Sequence, residues 1–376
     1  MRFRYSKEEN GKPVKKAAVY TQNEHKINVE DIDKQAVHII ERLQAYGFES
    51  YIVGGAVRDL ILGKKPKDFD IVTSASPGKI KKIFRNARII GKRFRLVHVY
   101  FGSKNIEVST FRSNSDGPTS NTFGTIEEDV LRRDFSLNAL FYDPVKQIVV
   151  DYVGGMEDIK KRLIRPVIKL SKIFSDDPVR MIRAVKYAAA TGFRLPLSLK
   201  WTINKHKRLL SGVSHSRLTE EIFKIIYSPH SRAIVESLDA AGLYLYLQPN
   251  AAFLFKTKPG FRAAYLGSLG SLNPDAANFR SGGALASLIR DYLEDAAVWN
   301  LKRDIPASLS RGSQPAQKPL AEHYRNVFLL ARKFVLPMNP PRMELDGAIR
   351  ILFSEHGVTV KKPRFQGRPQ RIITTE

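Results

Sequence analysis

Apolar positions along the chain fall into two periods, and the change from one to the other divides the molecule. Ile32, Ala36, Ile39, Ile40 and Leu43 recur at helical spacing between Ile32 and Tyr46, and Gly47 stands where such a helix would stop. A short apolar run, Ser50 to Val53, ends in Gly54-Gly55, and a helical pattern follows from Ala56 to about Leu62. Strand-like runs come next at Phe69–Val72, Leu96–Phe101, Ile106–Phe111 and Leu140–Tyr142. Together they predict an α+β head of roughly a hundred residues. After Asp151 helical patterns take over, at Pro178–Thr191, Leu218–Tyr227, Ser231–Tyr246 and His323–Phe334. Residues 1 to about 26 mix Lys, Glu, Asn and Gly and read as a flexible arm. Residues 256–320 are rich in Gly, Ser, Pro and Ala and carry the weakest pattern. There are no internal repeats. The expected division is an arm and helix over 1–47, a head over 48–165, a helical neck over 166–235, a helical body over 236–360 and a basic tail over 361–376.

Composition sharpens this picture mainly through charge. A chain of 376 residues with 43% hydrophobic and 26% charged positions is globular and long enough for two or three domains. Lys and Arg number 62 against 37 Asp and Glu, a formal net charge of +25. Such an excess attracts polyanions, and nucleic acid is the simplest partner. In the tail, Lys361, Lys362, Arg364, Arg368 and Arg371 suit phosphate contacts. The absence of cysteine excludes a disulfide framework, a zinc knuckle and a thiol nucleophile. The eight histidines show no metal-ligand spacing. Met1–Lys26 has no apolar signal core, and no run of about 18 apolar residues appears. A cytoplasmic protein is therefore expected, with no membrane association and no protein partner signalled.

Candidate chemistry begins at Asp68-Phe69-Asp70-Ile71-Val72. In a strand Asp68 and Asp70 share one face while Phe69 and Ile71 enter the core. Two adjacent carboxylates repel unless a cation neutralises them, and magnesium, which takes one or two carboxylates plus substrate phosphates, suits the pair. Paired aspartates also end strands for purely structural reasons. Upstream, Tyr51 to Asp59 is a strand, a glycine pair and a helix start. Its backbone N–H groups, with Arg58 in the first turn, suit a phosphate cradle, or the segment is an ordinary tight strand-to-helix turn with a surface arginine. Glu107, between Ile106 and Val108, is a third acid on the open face of its strand, or an ordinary exposed glutamate. Glu127 to Phe135 packs four acids around Arg132-Arg133. That run is either a surface ion-pair cluster or a site where Arg133 holds a triphosphate and Asp134 orients it. In Ser175 to Lys186, Asp177 fits an N-cap and Pro178 the first helical position. Arg180, Arg183 and Lys186 follow as a basic stripe. Asp177 can cap and also read a base edge together with Arg180.

In order and spacing these segments resemble the family of class II tRNA nucleotidyltransferases and bacterial poly(A) polymerases, closest to the polymerases. The likeness runs from about Tyr51 to Ile226. Gly54-Gly55-Ala56-Val57-Arg58-Asp59 with Asp68-Phe69-Asp70 is similar to the first motif, and Arg132-Arg133-Asp134-Phe135 to the second. Asp151-Tyr152-Val153-Gly154-Gly155 with Asp158 resembles the third, a flexible segment between head and neck. Asp176-Asp177-Pro178-Val179-Arg180 resembles the base-reading motif, and Ser216-Arg217-Leu218 with Glu220-Glu221 the last. Ile89 to Val99 resembles the signature that separates the polymerases from CCA-adding enzymes. The resemblance implies a polymerase β-type nucleotidyltransferase head, a mixed sheet with helices, followed by an all-α neck and body. It implies two Mg2+ ions on Asp68 and Asp70, with Glu107 or Asp134 completing the acidic set. The triphosphate would lie on Gly54, Gly55, Arg58 and Arg133, with Asp177 and Arg180 facing the base and Arg183 and Lys186 flanking it. The implied activity is ATP-dependent addition of AMP to the 3′ ends of mRNA or other transcripts. The alternatives are CCA or A addition to tRNA, and an inactive RNA-binding homologue.

Overall fold

The computed structural model describes residues 2–7, 13–91, 96–113, 122–273, 279–299 and 314–360. The chain divides into two compact units, Met1–Gly212 and Val213–Glu376. The first unit therefore ends inside the segment expected to form one continuous neck. The basic tail, the Lys92–Arg95 part of the signature and positions 114–121 lie outside the described residues.

Nine strands form the sheet of the first unit: β1 (Arg2–Lys7), β2 (Pro13–Thr21), β3 (Ser50–Val53), β4 (Asp70–Thr73), β5 (Ala87–Ile90), β6 (Leu96–Phe101), β7 (Lys104–Thr110), β8 (Leu140–Asp143) and β9 (Ile148–Asp151). Their order is β1-β2-β9-β8-β3-β4-β7-β6-β5. The β4–β7 pair is parallel and the other neighbours are antiparallel. The helices needed below are α1 (Gln22–His25), α2 (Lys34–Ala45), α3 (Gly55–Ile61), α4 (Pro77–Ile83), α5 (Ile126–Arg132), α6 (Gly155–Lys160), α7 (Ile173–Asp176), α8 (Val179–Thr191) and α9 (Leu197–His206). Helices α2 and α3 contact β3, and α4 contacts β5. On the face that α5 covers, Ala17, Tyr51, Val53, Val72, Phe111, Ile126, Val130, Phe141 and Val150 make one apolar cluster. Both faces of the central strands are thus covered, which is why β4 buries Ile71, Val72 and Thr73 in succession instead of alternating.

The expected flexible arm over residues 1–26 is corrected: it contains β1, β2 and α1. Tyr20 and Thr21 of β2 pair with Val149 and Ile148 of β9, so the segment extends the sheet. Its lysine-rich wording hides the alternation, in which Ala17 and Val19 face inward. Arg4 then secures β1. Its guanidinium donates to the Tyr51 hydroxyl at 2.8 Å and lies 3.7 Å from Glu49. Burial pushes the Tyr51 phenol up to about 12, against the opposing pull of Arg4. Strands β5 and β9 also escaped the periodicity reading.

The second unit is helical. Its described helices include α10 (His215–Ile226), α11 (Ser231–Ala240), α12 (Tyr244–Leu247), α13 (Pro249–Thr257), α14 (Pro259–Gly270) and α15 (Ala284–Asp295), then Gln314–Phe334 and Arg342–Glu355. The single helix expected over Ser231–Tyr246 is two. Gly242 adopts φ 66°, and the Leu243 N–H turns back to Leu238 O, which ends α11. Of the weakly patterned stretch 256–320, the described parts are mainly helical, through α14 and α15. Among the described residues no helix is long and apolar enough to cross a membrane.

Candidate active site

The candidate carboxylates gather at one end of the central strands. Val53, the last residue of β3, pairs with Asp70, the first of β4, so the Gly54 turn and the acidic strand end are neighbours. Asp70 in turn pairs with Glu107 of β7, and Glu107 with His98 of β6. Directly opposed residues share a face, so Asp70, Glu107 and His98 form one row across three strands. Asp70 also shares a face with Val72, two residues along β4, on the side covered by α5. Asp68 and Asp70 are exposed and Glu107 is partly exposed. His98 Nε2 lies 3.9 Å from Glu107 Oε2, and the His98 Nδ1 is within hydrogen-bond distance of the Asn105 side-chain amide, 3.1 Å.

Two local expectations are corrected here. Asp68 precedes the strand instead of lying in it, because β4 begins at Asp70, and Phe69 is only half-buried. The shared exposure of the two aspartates comes from a loop leading into the sheet, not from strand alternation. Among the described residues no three His, Asp or Glu side chains converge as a ready-made metal centre. Two carboxylates in register with a third beside them fit magnesium in another way, with phosphate oxygens supplying the remaining ligands.

Opposite in character is the arginine side. Gly54 has φ 72° and ψ −136°, a conformation open to glycine, and turns β3 into α3. Arg58, one turn into α3, lies back over Gly55: a Cβ there would meet Arg58 Nη2 at 3.4 Å. Arg58 donates to Asp59 Oδ1 at 2.9 Å and to Asn138 Oδ1 at 3.0 Å. Arg133 donates to the Asn138 backbone oxygen at 3.1 Å and to Asp129 Oδ2 at 2.9 Å. Asn138 therefore couples the two arginines named from sequence. Asp134 accepts the Phe135 N–H at 2.8 Å and lies 3.8 Å from Arg183. The structure thus sets Glu107 beside Asp70 and gives Asp134 to the neck helix.

Helix α8 begins at Val179, one residue later than expected. The Asp177 carboxylate still caps it, accepting the Val179 N–H at 3.2 Å. The basic stripe does not face solvent. Arg180 and Lys186 are buried, and Arg183 is half-buried. Arg180 donates to Ile173 O at 3.3 Å and to Arg132 O at 3.5 Å. Burial lowers its pKa, with Asp177, Asp134 and Asp176 opposing the shift.

Residues 50–165 match the family model described as the poly A polymerase head domain. Residues 192–254 match a second model, described as "Probable RNA and SrmB- binding site of polymerase A". Over 253 residues the chain is 40% identical to Poly(A) polymerase I of Escherichia coli O157:H7, covering 63% of this chain and 54% of that protein. Over 220 residues it is 38% identical to the CCA-adding enzyme of Geobacillus stearothermophilus, covering 57% and 54% respectively. The chain spans about half the length of these curated relatives. The crystal structure of the Bacillus stearothermophilus CCA-adding enzyme in complex with CTP matches at a TM-score of 0.56 and 28% identity, covering 86% of this chain and 82% of that one.

Around this site, several residues matter that the sequence reading passed over or left without a role. Asp129 is buried and receives both Arg133 and, at 3.4 Å, the Arg112 N–H. Glu128 closes a capping box with Thr125 and accepts the Ser113 hydroxyl, which with the Thr125 N–H holds its carboxyl below the usual range. Tyr187 receives Arg58 over its ring at 5.7 Å. Arg132 is the sharpest omission. Its Nη1 is buried without a hydrogen-bond partner, and burial beside Arg112, Arg133 and Arg180 lowers its pKa. The Arg-Arg pair was the available signal, but which arginine takes the buried Asp129 depends on packing. The third motif, expected to be flexible, is a tied corner. Asp151 accepts the N–H groups of Val153, Gly154, Gly155 and Met156, and Gly155 is required because a Cβ would come within 2.3 Å of Ser136 O.

Proposed function

We propose that this chain is a template-independent poly(A) polymerase, adding AMP from ATP to RNA 3′ ends with release of pyrophosphate. The observation that carries the reading is the meeting of the Gly54 turn with the Asp70–Glu107 pair, flanked by Arg58 and Arg133 joined through Asn138. Asp68, Asp70 and Glu107 would hold Mg2+, in two sites that the nucleotide's phosphates complete. Bound there, magnesium lowers the pKa of the RNA 3′ hydroxyl and neutralises the leaving oxygens.

The chain's own residues position the reactants. The glycine-turn backbone, Arg58 and Arg133 receive the triphosphate, and the unpartnered Arg132 Nη1 offers a further donor to a phosphate oxygen. Asp177 and Arg180 face the base, with Arg183 and Lys186 beside them. The 3′ oxygen bonds to the α-phosphorus as the bond to pyrophosphate breaks, and the hydroxyl proton passes to solvent. Fixed arginines stabilise the charge that moves toward the leaving group without reorganising. RNA is supported as substrate by the +25 formal charge and by the match of residues 192–254.

Similarity to CCA-adding enzymes, in sequence and in fold, favours addition of CCA or A to tRNA as the second reading. Incubation with ATP or CTP, with and without tRNA lacking its terminus, separates the two. Extension of unrelated RNA by ATP alone is expected. CTP incorporation confined to tRNA would overturn the polymerase reading.

A further inference from the structure

Helix α9 buries Leu199, Thr202 and Ile203 and turns its other side outward. On that side Leu197 and Trp201, one helical turn apart, are 82% and 65% exposed. An indole so exposed forfeits apolar burial that the fold does not recover elsewhere. Lys200, Lys205 and Arg208 are exposed around it, and the Lys205 ammonium lies over the ring, 5.2 Å from its centroid. No acid offsets them nearby in sequence. From Pro178 to Thr219 the chain has nine Lys and Arg and no Asp or Glu. Phe174, three residues before Asp177, packs against His206 of α9 with ring centroids 6.4 Å apart. The outward face of α9 therefore lies one helix layer from the base-facing aspartate.

We propose that this face is a single-stranded RNA subsite, in which a nucleobase stacks on Trp201 while adjoining phosphates meet Lys200, Lys205 and Arg208. The cations select a polyanion, and the bare ring selects one whose bases are unstacked, since a duplex hides its base faces. A protein partner docking on Leu197 and Trp201 would have to bury or neutralise these three cations. The choice of RNA as occupant rests on the proposed reaction at RNA 3′ ends. Its test does not depend on that reaction.

The 376-residue chain is titrated with single-stranded oligoadenylate, without nucleotide or magnesium, and tryptophan fluorescence and affinity are read together. Quenching is expected in the parent protein. Trp201→Ala should abolish the quenching that Trp201 contributes and raise Kd about 5- to 150-fold, the range of one stacked base. Trp201→Phe should recover most of the affinity. Replacing Lys200, Lys205 and Arg208 together by Gln should flatten the slope of log Kd against log salt by about 2. Because Trp201 is exposed, circular dichroism of each variant should match the parent. Unchanged quenching and affinity in Trp201→Ala would overturn the proposal, as would loss of a bound protein partner with RNA affinity intact. Failure to incorporate AMP would count against the proposed reaction and leave this binding result standing.

Discussion

The carboxylates at the strand end and the arginines along α3, α5 and α8 belong to one unit but are held in opposite ways. Asp68 and Asp70 stand exposed, and the Glu107 side chain retains 42% of its surface. Arg58 and Arg133 keep 14% and 19%, each fixed by hydrogen bonds, and Arg180 is buried. Exposed acids exchange water for a cation at little cost. Half-buried arginines are costly to assemble, but once assembled they present charge in a set direction. The adaptable half of this site can therefore follow hydrated ions, while the rigid half sets where an anion lies. Arg132 carries that rigidity furthest, since Asp129 is already taken by Arg133 and the Arg112 N–H.

The contrast breaks most visibly if the exposed half is removed. Asp68→Asn with Asp70→Asn should reduce nucleotide incorporation roughly a thousandfold or more, with an unchanged melting temperature. A fall in melting temperature would mean that these acids are structural. On the rigid side, Arg133→Ala strands the buried Asp129 and should destabilise the head by about 3 kcal/mol, read by denaturant unfolding. An unchanged midpoint would refute the claim that this half is preassembled. Asp177→Ala should loosen the preference for ATP over the other nucleotides about tenfold, more than it weakens RNA binding. Equal incorporation ratios before and after would remove Asp177 from base selection. The smallest effect sharpens the comparison most. Arg132→Met discards an unpaired buried donor and should raise the stability of the free protein by about 1 kcal/mol while weakening ATP or RNA binding. Lower stability with unaltered binding would show that Nη1 serves the fold alone.

Much of the candidate site was legible without coordinates, because its parts are local. A glycine pair between a strand and a helix announces a turn with φ above zero, and Gly54 has it. A strand pattern around Glu107 leaves the glutamate off the core, and Ile106 and Val108 are indeed buried while it is not. Asp177 before a proline-led helix announces a cap, and it caps. Where local wording misled, another segment had intervened. The lysine-rich start became strands because β9 offered it an edge, and Arg180 of the basic stripe turned inward because α7 and α5 supply the Ile173 and Arg132 carbonyls that receive it.

Sequence alone therefore determined which acids, arginines and glycines are present, their order, and the strand or helix that carries most of them. Backbone conformation and side-chain period are properties of neighbours in the chain. Only the tertiary structure decided that Glu107 stands beside Asp70, that Asn138 joins Arg58 to Arg133, and that Arg132 Nη1 is left without an acceptor. Those are matters of register between strands and of competition for one buried carboxylate. No window of residues contains both partners.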